Sequence, residues 1–320
     1  MDPLSDVLRV VRLTGAYFYG FEASGPWRVE AVAAAELSPR VLPDTEHLIS
    51  YHILTEGRCW GGVAGEELVE LLPGDVIVFP QGDAHVMASV PRPSGELTVQ
   101  ASSAARYPDT VRLGNAGQLN ARIVCGFLGC DRLPFNPLLA TLPRRLRMRG
   151  LSQGWLGSFA AQVVEESRAE RAGADCVLTR LAELMFIEVL RRYLEELPAE
   201  QTGWLAGLRD PLVGRALALL HARPGHTWTL AELAQEVAGS RSRLAERFTY
   251  LVGYPPMQYL TQWRMQIAAN LLTQSGAKVA AVAADVGYES EAAFSRAFKK
   301  ATGQSPGGWR TSRLGAQASA

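Results

Sequence analysis

Between residues 27 and 133 the chain is written in short apolar runs, HLISYHIL, ELVELL, DVIVF, HVMASV, ELTVQ and ARIVCGFL, cut apart by Gly and Pro. Runs of roughly four to eight such residues, ended by turn formers like Pro73-Gly74-Asp75 and Gln81-Gly82-Asp83, predict short strands. Many short strands in succession predict a sandwich or barrel, not a parallel α/β sheet. From residue 154 to 197 the period changes. Trp155, Phe159 and Val163, then Val177, Leu181, Leu184, Met185, Leu190 and Leu194, recur at threes and fours, which predicts two amphipathic helices. They are parted by Arg171 to Ala174, and Pro198 closes the second. Their apolar stripes are covered either by their own domain or by a second copy of the chain.

From Pro211 to Trp309 the helical period is almost unbroken, and the segment repeats itself. Leu230 to Ala234 and Val237 are echoed by Val279 to Ala283 and Val286, and Leu244, Phe248, Gly253 and Pro256 by Phe294, Phe298, Gly303 and Pro306. In the first copy Thr229 and Glu232 form a capping box. Gly239 is placed to end that helix in a left-handed conformation, and Ser240 to cap the next. The plan is a short helix, a tight turn and a second helix from Arg241 to about Leu251. The second copy runs from Val279 to Val286, turns at Gly287 to Glu289, and continues under the Ser290 cap from Glu291 to Ala301.

With Leu244 and Phe248 turned inward, Arg241, Ser242, Arg243, Ala245, Glu246 and Arg247 are spread over the other sides of the first such helix. In the second, Phe294 and Phe298 turn inward and Glu291, Ala292, Ser295, Arg296 and Lys299 outward. A helix seated in a major groove presents such a face to bases and phosphates. The segment between the copies, from Pro255 to about Thr273, predicts a rigid helix of roughly 18 residues and about 27 Å. That approaches one turn of DNA, about 34 Å, and would set both reading helices over successive major grooves.

Charge supports a polyanionic partner only when it is counted by segment. The whole chain is neutral, with 32 Lys and Arg against 32 Asp and Glu, but residues 211–320 hold twelve against six and the remainder 20 against 26. Residues 211 to 310 resemble the DNA-binding domain of the AraC/XylS family of transcription regulators, on the stretches TLAELAQEVAGSRSRLAERFTYLVGYPPMQYLTQWRMQIAANLL and VAAVAADVGYESEAAFSRAFKKATGQSPGGWR. Carried over by position, the resemblance implies that Ser242, Arg243, Ala245 and Glu246, with Glu291, Ala292, Ser295 and Arg296, face bases or phosphates. Some relatives carry a base-reading Arg where Glu246 stands.

The N-terminal half supplies a second motif. Gly74, Pro80, Gly82 and His85 fit G-x5-P-x-G-x2-H and resemble the second conserved motif of cupins, small jelly-roll barrels with a central cavity. Tyr51, His52, Trp60, Phe79 and His85 are the pocket candidates. A metal is not expected, because His47 and His52 are five apart and point to opposite faces of a strand, and Glu56 lies about 13 Å from His52 along it. That leaves His52 and His85, short of the three protein ligands of a catalytic zinc site. Four cysteines are too few for a disulfide scaffold. Cys125 and Cys130, with Cys59, are either buried thiols or an oxidant-sensing set, as in some cupin-containing regulators of this family.

The expected fold is therefore α+β and multidomain: a cupin-like β-barrel over 1–145, a helical connector over 146–205 that dimerises if its stripe is open, and an all-α domain with two helix-turn-helix units over 206–320. The expected function is sequence-specific regulation of transcription, as an activator through RNA polymerase or otherwise, under a small-molecule or redox signal and without enzymatic activity. The expected partners are double-stranded promoter DNA and a second copy of the chain, with no cofactor. A cupin enzyme using a metal at His52 and His85 is the rival. No run of apolar residues reaches the length of a signal peptide or membrane span, so a cytoplasmic location is expected.

Overall fold

The computed structural model describes the chain except for residues 1, 12, 43–44, 92–97, 101–109, 115–118, 131–133, 151–161, 164, 167–170, 199, 275 and 319–320. It forms two compact units. One comprises residues 13–131 and 142–196, the other residues 1–12, 132–141 and 197–320.

The first unit is a two-sheet barrel. One sheet has the strand order β11 (Leu146–Met148), β6 (Val76–Phe79), β3 (His47–Gly57), β10 (Leu119–Cys130), β1 (Leu13–Ser24), β9 (Thr110–Leu113). The other runs β5 (Val69–Leu71), β4 (Cys59–Val63), β7 (His85–Ala88), β2 (Arg28–Ala31), β8 (Thr98–Gln100). Phe21, Trp27, Leu54, Cys59, Leu71, Ile77, Phe79, Met87, Ile123 and Cys125 fill the interior. β3 reads as a continuous apolar run because both its faces are covered. Helix α2 (Ala34–Val41) sets Ala34 and Leu37 on Leu48 and Phe127. Helix α3 (Ala174–Glu196) crosses β1, β10 and β11, burying Leu178, Ala182, Met185, Phe186, Val189 and Leu190.

Two expectations change here. The 146–205 connector is not a body of its own, since α3 belongs to the barrel unit and Pro198 onward to the other. Its first helix, placed from Gly154 through Phe159, lies outside the described residues, although Val163 is buried. Strand β1 and helices α1 (Pro3–Val10) and α2 precede or interrupt the runs read as strands.

The second unit contains α1, α4 (Trp204–Arg209), α5 (Pro211–Ala222), α6 (Leu230–Glu236), α7 (Arg241–Val252), α8 (Pro256–Gln274), α9 (Val279–Asp285), α10 (Glu291–Thr302) and α11 (Pro306–Ala318). The caps explain the boundaries. Thr229 Oγ1 accepts from Glu232 N at 3.1 Å, Ser240 Oγ from Arg243 N at 3.3 Å and Ser290 Oγ from Ala293 N at 3.2 Å. Gly253 (φ 85°) and Gly303 (φ 78°) end the two second helices in the left-handed region.

The first turn departs from expectation. The left-handed residue is Ala238, φ 55°, and not Gly239. At Gly239 an added Cβ would stand 2.9 Å from Leu212 Cδ1, the tip of a side chain that can shift to make room. In the second copy the matching left-handed position is held by Gly287, φ 80°.

Candidate DNA-reading surface and barrel site

Helix α7 buries Leu244, Phe248, Leu251 and Val252. Its other sides carry Arg241, Ser242, Arg243, Glu246 and Arg247, all exposed, with Ala245 half-buried. Helix α10 buries Phe294 and Phe298, which meet each other at 5.6 Å between ring centroids, and Phe298 meets Trp309 edge-on at 5.8 Å. Glu291, Ala292, Arg296 and Lys299 are exposed there and Ser295 half-buried. The cores hold each helix by one stripe and leave a polar ridge standing off the surface. Among the described residues Arg243 and Arg296 have no ion pair, so both guanidinium groups are available to an anion.

Arg247 differs. Its Nε lies 2.9 Å from Asp210 Oδ2 and its guanidinium 5.6 Å from the Tyr250 ring centre. Asp210 in turn caps α5, accepting from Leu212 N at 3.0 Å and Val213 N at 2.9 Å. Partial burial is the largest single influence on the Asp210 carboxyl and pushes its pKa up, but those hydrogen bonds and Arg247 together outweigh it and lower the value. The result is an open groove of about 470 Å³ beside α7, walled by Asp210, Leu212, Arg243, Glu246, Arg247 and Tyr250. An arriving phosphate must compete with Asp210 for Arg247. This ion pair links residues 37 apart in sequence, and sequence reasoning missed it.

Helix α8 has 19 residues and so spans about 28 Å at 1.5 Å per residue. It buries Tyr259, Leu260, Trp263, Met265, Ala268, Ala269 and Leu272, which ties it into the cores of both copies.

In the barrel the structure brings together His52, His85, Phe79 and Cys125. His52 Nε2 is 2.8 Å from His85 Nε2, and His52 Nδ1 is 2.9 Å from Cys125 Sγ. Phe79 stacks on the His85 ring at 4.1 Å. The proton positions follow from the far end. His85 Nδ1 lies 3.0 Å from the Asp83 carbonyl, which only accepts, so it carries hydrogen and leaves His85 Nε2 as an acceptor. His52 Nε2–H donates to it, and the Cys125 thiol donates to His52 Nδ1.

Burial, with His85 adding to it, holds the His52 pKa well below its usual value, and burial brings that of His85 down to about 4. The Cys125 thiol is pushed up by burial, and Cys59, buried near Asp75, is pushed up to about 12. The cluster is a neutral hydrogen-bonded chain inside an apolar barrel.

The remaining candidates lie elsewhere. Tyr51 is on the opposite face of β3 from His52, edge-on to Phe18 at 5.8 Å, its hydroxyl buried without a hydrogen-bond partner among the described residues. Trp60 is half-buried under Arg58, whose guanidinium sits 5.8 Å from the ring centre. His47 Nε2 donates to the Pro80 carbonyl at 2.6 Å. Cys125 and Cys130 share one unbroken strand five residues apart and so face opposite sides of the sheet, about 16 Å apart along it. They cannot form a disulfide in the folded barrel.

The residues do not fit the metal that cupins commonly hold. The thiol occupies the nitrogen of His52 that faces away from His85, so the three groups do not converge on one point. Glu56 is ion-paired with Arg122. Among the described residues no group of three or more His, Cys, Asp or Glu is arranged to hold a metal ion.

A barrel joined to two helix-turn-helix copies separated by one long helix defines a class: transcription regulators with a cupin-type N-terminal domain. Comparison with known proteins agrees. A cupin family model matches residues 2–195 and a helix-turn-helix domain model residues 233–312. The chain is 33% identical over 317 residues to a putative AraC-like transcription regulator of Streptomyces antibioticus, covering 97% of this chain and 98% of that one. It is 27% identical over 316 residues to the RCS-specific HTH-type transcriptional activator RclR of Escherichia coli (strain K12), covering 97% of each. Among solved structures, the DNA-binding domain of AdpA in complex with a target DNA is 28% identical, with a TM-score of 0.33, covering 35% of this chain and 99% of that one. The chain belongs to the AraC-like family of DNA-binding transcription regulators.

Proposed function

We propose that α7 and α10 read promoter DNA in successive major grooves, with Arg243 and Arg296 as the principal base- or phosphate-binding cations. Arg241, Ser242, Ala245, Glu246, Arg247, Glu291, Ala292, Ser295 and Lys299 line the same surface. The observation that carries this is the repeated arrangement of a fully buried apolar stripe beneath an exposed polar ridge, on two helices spaced by the α8 rod. The barrel serves as a sensor of a small-molecule or redox signal and not as a catalyst, since its polar cluster is neutral and sealed among apolar side chains. Tyr51 and Trp60 lie outside that cluster, and Cys59 shares its core.

The chain acts as a homodimer in the cytoplasm, and as an activator it works through RNA polymerase. Support for the dimer comes from α3, whose side away from the barrel exposes Val177 and Leu184, 41% and 49% exposed and seven residues apart. Seven residues are two helical turns, so the pair forms one seam.

Selection of bound duplexes from a randomised DNA pool tests this reading. The expected outcome is enrichment of a site with two major-groove elements about one helical turn apart per protomer, with affinity falling steeply as salt rises. Failure to enrich any duplex at low salt would refute it.

A further inference from the structure

The first twelve residues belong to the DNA-reading unit and not to the barrel that follows them. Asp2 caps α1, its Oδ1 accepting from Ser5 N at 2.9 Å, and Pro3 begins the helix at a position where its missing N–H costs nothing. The helix packs against α5 and α8. Val7 is fully buried there, and Asn270 of α8 donates its side-chain amide to the Val10 carbonyl at the far end of α1.

The middle of α1 carries Asp6. Its Oδ1 pairs with Arg9 at 3.2 Å, while its Oδ2 faces His221 Nδ1 at 3.9 Å. Neither of those two facing atoms has a hydrogen-bond partner among the described residues. The tautomer of His221 shows why they face each other. Trp204 Nε1–H donates to the Tyr259 hydroxyl at 2.8 Å, so that hydroxyl spends its own hydrogen on His221 Nε2 at 2.7 Å. The single N–H hydrogen of the neutral imidazole then sits on Nδ1, buried and directed at the carboxylate. The distance is too long for a hydrogen bond but short for charge–dipole attraction in a dry interior. A polar group of α5 that would otherwise be buried facing nothing is thus complemented by the N-terminal helix.

We propose that residues 3–10 are a strap that clamps α5, the buttress of the first reading copy, onto α8, the spacer between the copies, so that the groove between α5 and α8 is a binding surface for this chain's own N-terminus. The strap leaves the ridges of α7 and α10 open, so it acts by rigidifying the reader and not by covering it. Its continuation is strand β1, whose first residue Leu13 is paired with Cys130 at the end of β10. The chain that leaves β10 also enters the reader, where Phe135 N donates to the buried Gln266 Oε1 of α8 at 2.9 Å and the Phe135 ring meets Tyr259 at 5.5 Å. Val10 and Phe135 are therefore both held by α8.

The test uses the full chain with Val7→Asp, Val7→Ala and a deletion of residues 2–10, the last with and without a synthetic peptide of residues 1–12. Hydrogen exchange is read at residues 211–222 and 256–274, and affinity is measured for a duplex selected by the wild-type protein. Exchange in both segments should rise and affinity should fall roughly three- to tenfold, as expected when a pre-organised surface must be ordered on binding. The peptide should restore both in the deletion protein. Exchange unchanged in Val7→Ala and in the deletion protein would overturn the strap, and raised exchange with unchanged DNA affinity would overturn its coupling to the reader. If the wild type selects no duplex, the exchange arm still decides whether the strap exists, separately from the DNA-reading proposal.

Discussion

Ala238 and Gly287 occupy the same left-handed position in the two turns, so exchanging their residue types perturbs the copies in opposite directions. A left-handed backbone costs an L-residue with a Cβ about 1–2 kcal/mol. Ala238→Gly removes that cost but adds freedom to the unfolded chain worth about 0.4–1 kcal/mol, so the first copy should gain about 0.5–1 kcal/mol. Gly287→Ala incurs the left-handed cost and more, because the new Cβ would lie 2.3 Å from the Gly225 carbonyl oxygen, a backbone atom, and 2.9 Å from an Arg264 nitrogen. Adding a conflict of about 1–3 kcal/mol puts its total near 2–4 kcal/mol. Urea unfolding gives the net change, and hydrogen exchange of the α7 and α10 amides assigns it to a copy. A destabilised Ala238→Gly protein, or a neutral Gly287→Ala protein, would refute the backbone reasoning for both turns.

Arg243→Ala and Arg296→Ala should each weaken DNA binding while shifting urea midpoints by less than about 0.5 kcal/mol in stability, since neither side chain is tied to the fold. Phe298→Ala, at a fully buried position, should cost roughly 3–5 kcal/mol and melt the α9–α10 copy, seen as lost exchange protection there. His85 and His221 are held neutral by burial, their pKa values brought down to about 4 and about 3. Below pH 6.5 the unfolded chain therefore binds protons that the folded chain refuses, and stability falls with pH until the folded values are reached. Between pH 7.5 and 5 that amounts to about 2 kcal/mol for each histidine, and urea unfolding of His85→Gln should show a smaller loss than the wild type.

The parts that could be read from the sequence were those encoded locally. Ser240 and Ser290 each stand just before a helix, and Leu244 with Phe248, like Phe294 with Phe298, are four apart, so the start and the buried side of each reading helix follow from neighbours in the chain. The strand runs and the histidine of the cupin-like motif were legible for the same reason. What escaped depends on pairing across distance. The contact of Cys125 with His52 needs the register of β10 on β3, 73 residues apart. Asn270 reaches Val10 across 260 residues, so nothing near α1 in sequence reveals where it packs. Ala238 escaped because alanine carries no preference for a left-handed turn, whereas the adjacent Gly239 does. β1, with its glycines among aromatics, lacks a clean apolar run.

The central claim, that two ridges read one face of the duplex together, is tested most directly by base-resolved footprinting of a selected site with the wild type, Arg243→Ala and Arg296→Ala. Two major-groove patches about 10 base pairs apart should be protected by the wild type, with each variant losing a different one. A single protected patch, or two patches that both variants protect as fully as the wild type, would contradict it.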